Sequence, residues 1–182
     1  MAASTALAAP TDAAPVAGFS ECHATILHGL VELGGLPGLA AAAARARQVA
    51  EATLALFDSA VAEHHADEER ELFPAVLRSA AVGHERDQVL AIEQRLAAEH
   101  RTIEALWRSL RPAVRRLAAG QAALPDAELV AALVKSYEAH ARYEESAFLP
   151  LAQAILARDA NHMAALGVSL HLRHARPPVA YI

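Results

Sequence analysis

One cysteine, Cys22, stands in 182 residues, so no intramolecular disulfide can form, a condition that fits a reducing cytoplasm. Aromatic residues are 4% of the chain, whereas hydrophobic residues reach 54%, much of it Ala and Leu. That imbalance favours helix over strand by propensity. Positive charge is in short supply: 16 basic against 21 acidic residues leave a net −5. Nothing in that balance recruits nucleic acid or an anionic membrane. No continuous apolar run approaches the roughly 18 to 20 residues of a membrane span. Residues 1–18 lack Lys and Arg altogether, unlike the basic start of a secretory signal; they read as a flexible arm.

Common catalytic signatures are missing as well. No Cys pair suits a zinc ribbon, and His84-Glu85-Arg86-Asp87-Gln88 departs from His-Glu-x-x-His. No Gly-rich loop is spaced for phosphate, and no Gly-x-Ser-x-Gly elbow occurs. The Glu-x-x-His pairs of ferritin-like di-iron proteins are absent too.

What the chain does have is histidine, ten of them, several set in a repeat. His64-His65-Ala66-Asp67-Glu68-Glu69-Arg70-Glu71-Leu72-Phe73-Pro74 is echoed by His140-Ala141-Arg142-Tyr143-Glu144-Glu145-Ser146-Ala147-Phe148-Leu149-Pro150. Aligning the prolines superposes His64 on His140 and Glu68 on Glu144. His and Glu four residues apart lie one helical turn apart on one face. An imidazole nitrogen and a carboxylate oxygen so placed can grip one metal ion. A second echo pairs His23-Ala24-Thr25-Ile26 with His100-Arg101-Thr102-Ile103.

Taken in order, a first helix begins near Ser20 with an apolar stripe His23, Ile26, Leu27, Leu30 and Val31. Gly34-Gly35-Leu36-Pro37-Gly38 interrupts it, and for His23 and His64 to sit level the helix must kink at these glycines and continue toward residues 40 to 45. A second helical pattern runs from Leu39 to about Ser79, with Pro74 expected to kink or end it near Leu72 and Phe73. A turn at Gly83-His84 leads to a third helix, Glu85 to Ala118, bent near Pro112. After a loop from Gly120 to Pro125, Asp126 caps a fourth helix. A short segment after Asp159 ends in a surface tail. The predicted fold is all-α: an up-down-up-down antiparallel four-helix bundle over residues 19–158, with a flexible N-terminal arm (1–18) and a short C-terminal helix and tail (159–182).

In that bundle His23, His64, Glu68, His100, His140 and Glu144 meet near one level. A lone inward histidine is more often a hydrogen-bonded core residue, and a lone glutamate a solvated charge. Two buried carboxylates without a cation are costly, however, and a metal pair accounts for all six groups together. His65 and Glu69 lie about 100° further round the helix and read as flank residues that orient the ligands or face solvent. Glu104 is either an extra ligand or part of an interhelical salt bridge. Tyr137 reads as a core residue with a hydroxyl near the centre. His28 and Tyr143 read as bystanders, as do His84, His162, His171 and His174.

These elements resemble the hemerythrin-like (HHE cation-binding) family over residues 20 to 150. The resemblance implies two iron ions, oxo- or carboxylate-bridged, with manganese or zinc suited to the same donors. His23, His64, His100 and His140 would be terminal ligands and Glu68 and Glu144 bridges. It implies O2, peroxide or nitric oxide as the small ligand. Cysteine usage and charge point to a cytoplasmic location, with no nucleic acid or membrane partner. The alternatives are an enzyme removing peroxide or nitric oxide, and a non-catalytic iron- or zinc-binding regulatory module. The classical oxygen carriers place a histidine where this chain has Glu104, and their last carboxylate where it has Glu145. A site with fewer imidazoles and more carboxylates is harder and favours oxidative chemistry.

Overall fold

The computed structural model describes residues 13–158. The chain divides into two units, Met1–Ala46 and Arg47–Ile182. Among the described residues every regular element is helical, as the Ala- and Leu-rich composition requires. They form α1 (Ala13–Ala55), α2 (Ala62–Asp67), α3 (Phe73–Ser79), α4 (His84–Ala118), α5 (Ala127–Tyr143) and α6 (Leu149–Leu156). Three π-helical turns, Leu56–Val61, Glu68–Leu72 and Glu144–Phe148, join α1 to α2, α2 to α3 and α5 to α6.

The helix continues past Gly34 to Gly38 as expected, but the turn expected beyond residues 40 to 45 does not form. α1 runs through the glycines with Pro37 inside the helix, and Gly34, Gly35 and Gly38 have open space at the Cβ position. The run Ala40–Ala44, the best helix former, continues the helix directly beyond. Helical backbone therefore extends from Ala13 to Ser79, and three helical runs stand where four separate helices were expected. The helix also starts inside the stretch read as a flexible arm. The segment expected after Asp159 lies outside the described residues.

Within the N-terminal unit the stripe Ile26, Leu27, Leu30 and Val31 is exposed. The expectation that no stretch could span a membrane is also corrected. An 18-residue window within Glu21–Ser79 has a mean hydropathy of 1.4, so by length and composition alone this helix is apolar enough. Gly29, Gly34, Gly35 and Gly38 lower the apparent hydrophobicity when side chains are counted one by one.

The second unit carries the core. Gly83 (φ 98°) and Gly120 (φ 72°) turn the chain between α3 and α4 and between α4 and α5, in the left-handed region where glycine has no steric penalty. A Cβ on Gly120 would also collide with the Arg47 guanidinium. Asp126 caps α5 as expected, its Oδ1 accepting from the backbone N–H of Glu128 (2.9 Å) and Leu129 (3.1 Å). One apolar cluster gathers Phe73, Val76, Val89, Ile92, Leu96, Phe148 and Ile155. Another gathers Ala50, Ile103, Trp107, Leu110, Val114 and Leu133. Each of the three helical runs contributes to both clusters, with a polar layer between them.

One half-buried acid lies outside that layer. Burial alone pushes the Glu93 carboxyl up to about 7, and its buried Oε1 has no hydrogen-bond partner. A raised carboxyl keeps its proton in the folded state, so stability falls as pH rises from the unfolded value near 4.5 through 7. Glu93→Gln is expected to stabilise the protein by about 1–2 kcal/mol at pH 8 and to change little at pH 5. Denaturant titrations at both pH values check this; equal stabilities at pH 8 would show that the carboxylate finds water.

Candidate metal centre

The polar layer is made by α2 and the π turn after it, by the middle of α4, and by the end of α5. His65, Glu68, His100, His140 and Glu144 are at most 7% exposed. Five charged or polar side chains at that depth are rare unless something binds them.

Local sequence explains how the acids turn inward. The π turns after α2 and α5 each begin at the inward glutamate, Glu68 or Glu144, and the proline follows six residues later. Pro74 and Pro150 have no N–H to donate to residues 70 and 146, and in an α-helix their rings would strike those carbonyls. Widening the preceding turn by one residue relieves the clash. The helical run therefore reaches Ser79 as expected, and the disturbance expected near Leu72 and Phe73 is the π turn Glu68–Leu72 and not an end of the helix.

Two groups of donor atoms result, each with all its atoms within 4.8 Å of one another: His65, His100 and His140, and His64, Glu68 and Glu144. The His65 and His100 rings stack, with centroids 3.9 Å apart and planes 7° off parallel. His140 stands edge-on to His100 at 4.8 Å. Glu68 links the groups, with Oε1 3.4 Å from His64 Nε2 and Oε2 3.2 Å from His100 Nε2. His140 Nε2 lies 3.8 Å from Glu144 Oε2.

Supporting acids hold the far nitrogens of two rings. His100 Nδ1 is 2.8 Å from Glu69 Oε1, and Glu69 is held in turn by Arg101. His140 Nδ1 is 3.3 Å from Glu99 Oε2, and Glu99 is held by Arg95 at 2.8 Å. With Nδ1 the donor to a carboxylate, each ring presents Nε2 to the centre, the arrangement that orients metal-ligating histidines.

The inner atoms are the ones left over. Both ring nitrogens of His65, both oxygens of Glu68, and Nε2 of His100 and of His140 are buried without a well-aligned hydrogen bond among the described residues. Leaving such groups unpaired costs roughly 1–3 kcal/mol each. A cation among them satisfies nitrogens and oxygens alike, so the donors fit a metal.

Charge is shared unevenly across the cluster. Burial pushes Glu144 up to about 8, helped by contact with the Glu68 charge. Burial also works to raise Glu68, but contacts with His100 and Glu144 and nearby imidazoles outweigh it, so Glu68 falls below its usual value. Glu68 is thus the ionised partner and Glu144 the protonated one. Burial pushes His65 down to about 3, with His100 and His140 adding to the effect. It opposes a charge on His100 too, yet the Glu68 and Glu69 carboxylates win and His100 is raised. His140 is lowered by burial and by His100.

Of the six expected ligands, His64, Glu68, His100, His140 and Glu144 come together here. His23 is exposed on α1 in the N-terminal unit. The expectation that His65 lies on the flank is wrong: it is 2% exposed and central. At about 100° per residue Val61 and Glu68 fall about 20° apart, His65 about 40° to one side and His64 about 60° to the other. His64 is the more exposed of the two, its side chain at 44%. Glu69 has its expected supporting role. Glu104 pairs with Arg101 at 3.2 Å and stands 3.9 Å from His65 Nδ1, beyond hydrogen-bond reach. Glu145 is exposed, unlike Glu144. The Tyr137 ring packs 6.0 Å from His140 and 6.3 Å from His65. His28 and His84 are exposed. The unforeseen supports are Glu99 and Arg95; their place one and two turns before Ile103 on α4 was the only available hint.

A family model described as "Hemerythrin HHE cation binding domain" matches residues 14–152. No curated protein and no solved structure matches the chain.

Proposed function

Since the chain belongs to the hemerythrin HHE cation-binding domain family, we propose that the buried cluster holds two iron ions and binds oxygen or a related small oxidant, peroxide or nitric oxide. The observation that carries this reading is the pair of adjacent donor groups with unpartnered inner atoms. His65, His100 and His140 would hold one ion, His64, Glu68 and Glu144 the other, with Glu68 reaching both. Bound iron supplies redox-active positions at which a small oxidant can attach. The protein's part is to orient and to shield. Glu69 and Glu99 fix the ring tautomers, and the two apolar clusters keep bulk water from the layer.

Loading must also displace protons, because ligands bind deprotonated. Glu144 and His100 are the groups raised in the metal-free cluster. Anaerobic addition of ferrous iron is expected to saturate at two equivalents and to release up to two protons at pH 7, read by an indicator dye. Admission of air should then change the visible absorption, and sodium dithionite should reverse the change. Failure to take up iron would remove the reading. Uptake of iron that ignores oxygen would move the protein to the non-redox regulatory alternative.

A further inference from the structure

The C-terminal half of α4 carries Arg108, Arg111, Arg115 and Arg116, and no acidic residue occurs between Glu104 and Asp126. Arg108 and Arg115 are seven residues apart, so they share one face of the helix. All four arginines line a cleft of about 530 Å³. A second cleft of about 400 Å³ shares Arg108 and Arg111 and continues to Phe57, Trp107 and His65. Both volumes lie in the range of small-molecule sites.

The charges here are not used up internally. Asp58 takes Arg111 through three hydrogen bonds, Nε to Oδ1 at 2.8 Å and to Oδ2 at 3.0 Å, and the terminal nitrogen to Oδ2 at 2.6 Å. Asp58 also accepts from the Trp107 indole N–H at 3.0 Å. Arg116 donates to the Ala122 carbonyl at 2.7 Å. Among the described residues no carboxylate pairs with Arg108 or Arg115. Like charges one or two turns apart on a helix repel, and a bound anion is what would relieve them. The floor of the second cleft is fixed: Phe57 stacks on Trp107 with centroids 4.8 Å apart. Two carboxylates line this cleft, Asp58, held by Arg111 and Trp107, and Glu104, paired with Arg101.

We propose that the joined clefts bind a small organic anion, its carboxylate or phosphate head between Arg108 and Arg115 and its apolar body along Phe57 and Trp107 toward His65. A concave site with an apolar inner wall selects such a molecule over a polyanionic chain, which needs an extended basic face. The reach to His65 rests on the metal-centre reading; the binding itself does not.

Trp107 is the sole tryptophan, so its fluorescence reports occupancy. The metal-free full-length chain is titrated at low salt with sodium octanoate and with octyl phosphate, the tighter ligand naming the head group. A saturable fluorescence change is expected, absent with octanol. Arg108→Ala and Arg115→Ala, both exposed and, among the described residues, in no salt bridge, should each weaken binding about tenfold, the loss of one charge-assisted contact. The double variant should not bind, while circular dichroism shows it folded. Because the titration uses the metal-free chain, a failed metal centre would leave this result intact. Three outcomes would overturn the site: no saturable change, equal binding of octanol, or a double variant that binds as tightly. Tighter capture of heparin than of either ligand would overturn it too, in favour of a macromolecular surface.

Discussion

Glu68→Ala is expected to abolish loading of both metal positions, whereas His65→Ala removes one equivalent of two. Among the described residues Glu68 makes the shortest contacts with both donor groups, 3.4 Å from His64 and 3.2 Å from His100. Removing it takes a donor from each group at once. It also leaves His100 with Glu69 alone of the two carboxylates that offset its burial. His65 serves the three-imidazole group alone, so its loss leaves His64, Glu68 and Glu144 in place. Changes to groups that merely support ligands lower metal affinity 10- to 100-fold, so loss of a shared direct ligand should exceed about 100-fold. Equilibrium dialysis with ferrous or zinc ions counts the equivalents. His65→Ala with two full equivalents would return His65 to the supporting role the sequence implied. The same count on His23→Ala decides the remaining candidate, since a lost equivalent makes it a donor.

The metal-free protein is expected to lose about 2–4 kcal/mol of stability between pH 6.5 and 8, and the metal-loaded protein to lose far less. The sign follows from the groups in turn. Glu144 is raised to about 8 from 4.5, so the folded state holds its proton and stability drops as pH rises through that range. His100 is also raised, and its contribution, full below 6.5, is lost as pH climbs above it. His65 and His140 are lowered, so they cost stability only as pH falls below 6.5. Glu68 is lowered and acts in the same sense below 4.5. Between 6.5 and 8 only the two raised groups remain, both in one direction, at up to about 1.4 kcal/mol per pH unit each. Metal removes both protons before unfolding begins, which flattens the profile. Urea titrations with and without chelator, on a Glu93→Gln background that silences that acid, measure the difference. Glu144→Gln should halve the slope. A flat metal-free profile would show that the acids and His100 are paired in some other way.

Much of this site was visible in the chain. The repeat of His-x-x-x-Glu before an apolar pair and proline placed Glu68 and Glu144 at matched positions, and both are buried. The preference for Glu144 over Glu145 rested on that repeat and agrees with the burial. Side-chain spacing could not separate His64 from His65. The two straddle the inward line, and a one-residue π turn on either side is enough to change which is deeper. Glu99 escaped notice because its partner, His140, is 41 residues away and no local pattern joins them. The arginines of α4 are plain in the sequence, yet that Arg108 and Arg111 line a cleft shared with His65 is not.

All-α character, the family and the two paired donors follow from the sequence by itself, since composition and i, i+4 spacing act within a turn or two of helix. Tertiary structure decided that α1 runs on beyond residues 40 to 45 and that His65 takes a central place. It also decided which acids brace which rings. Those outcomes depend on how three helical runs turn and pack against one another, and burial is a property of neighbours distant in sequence.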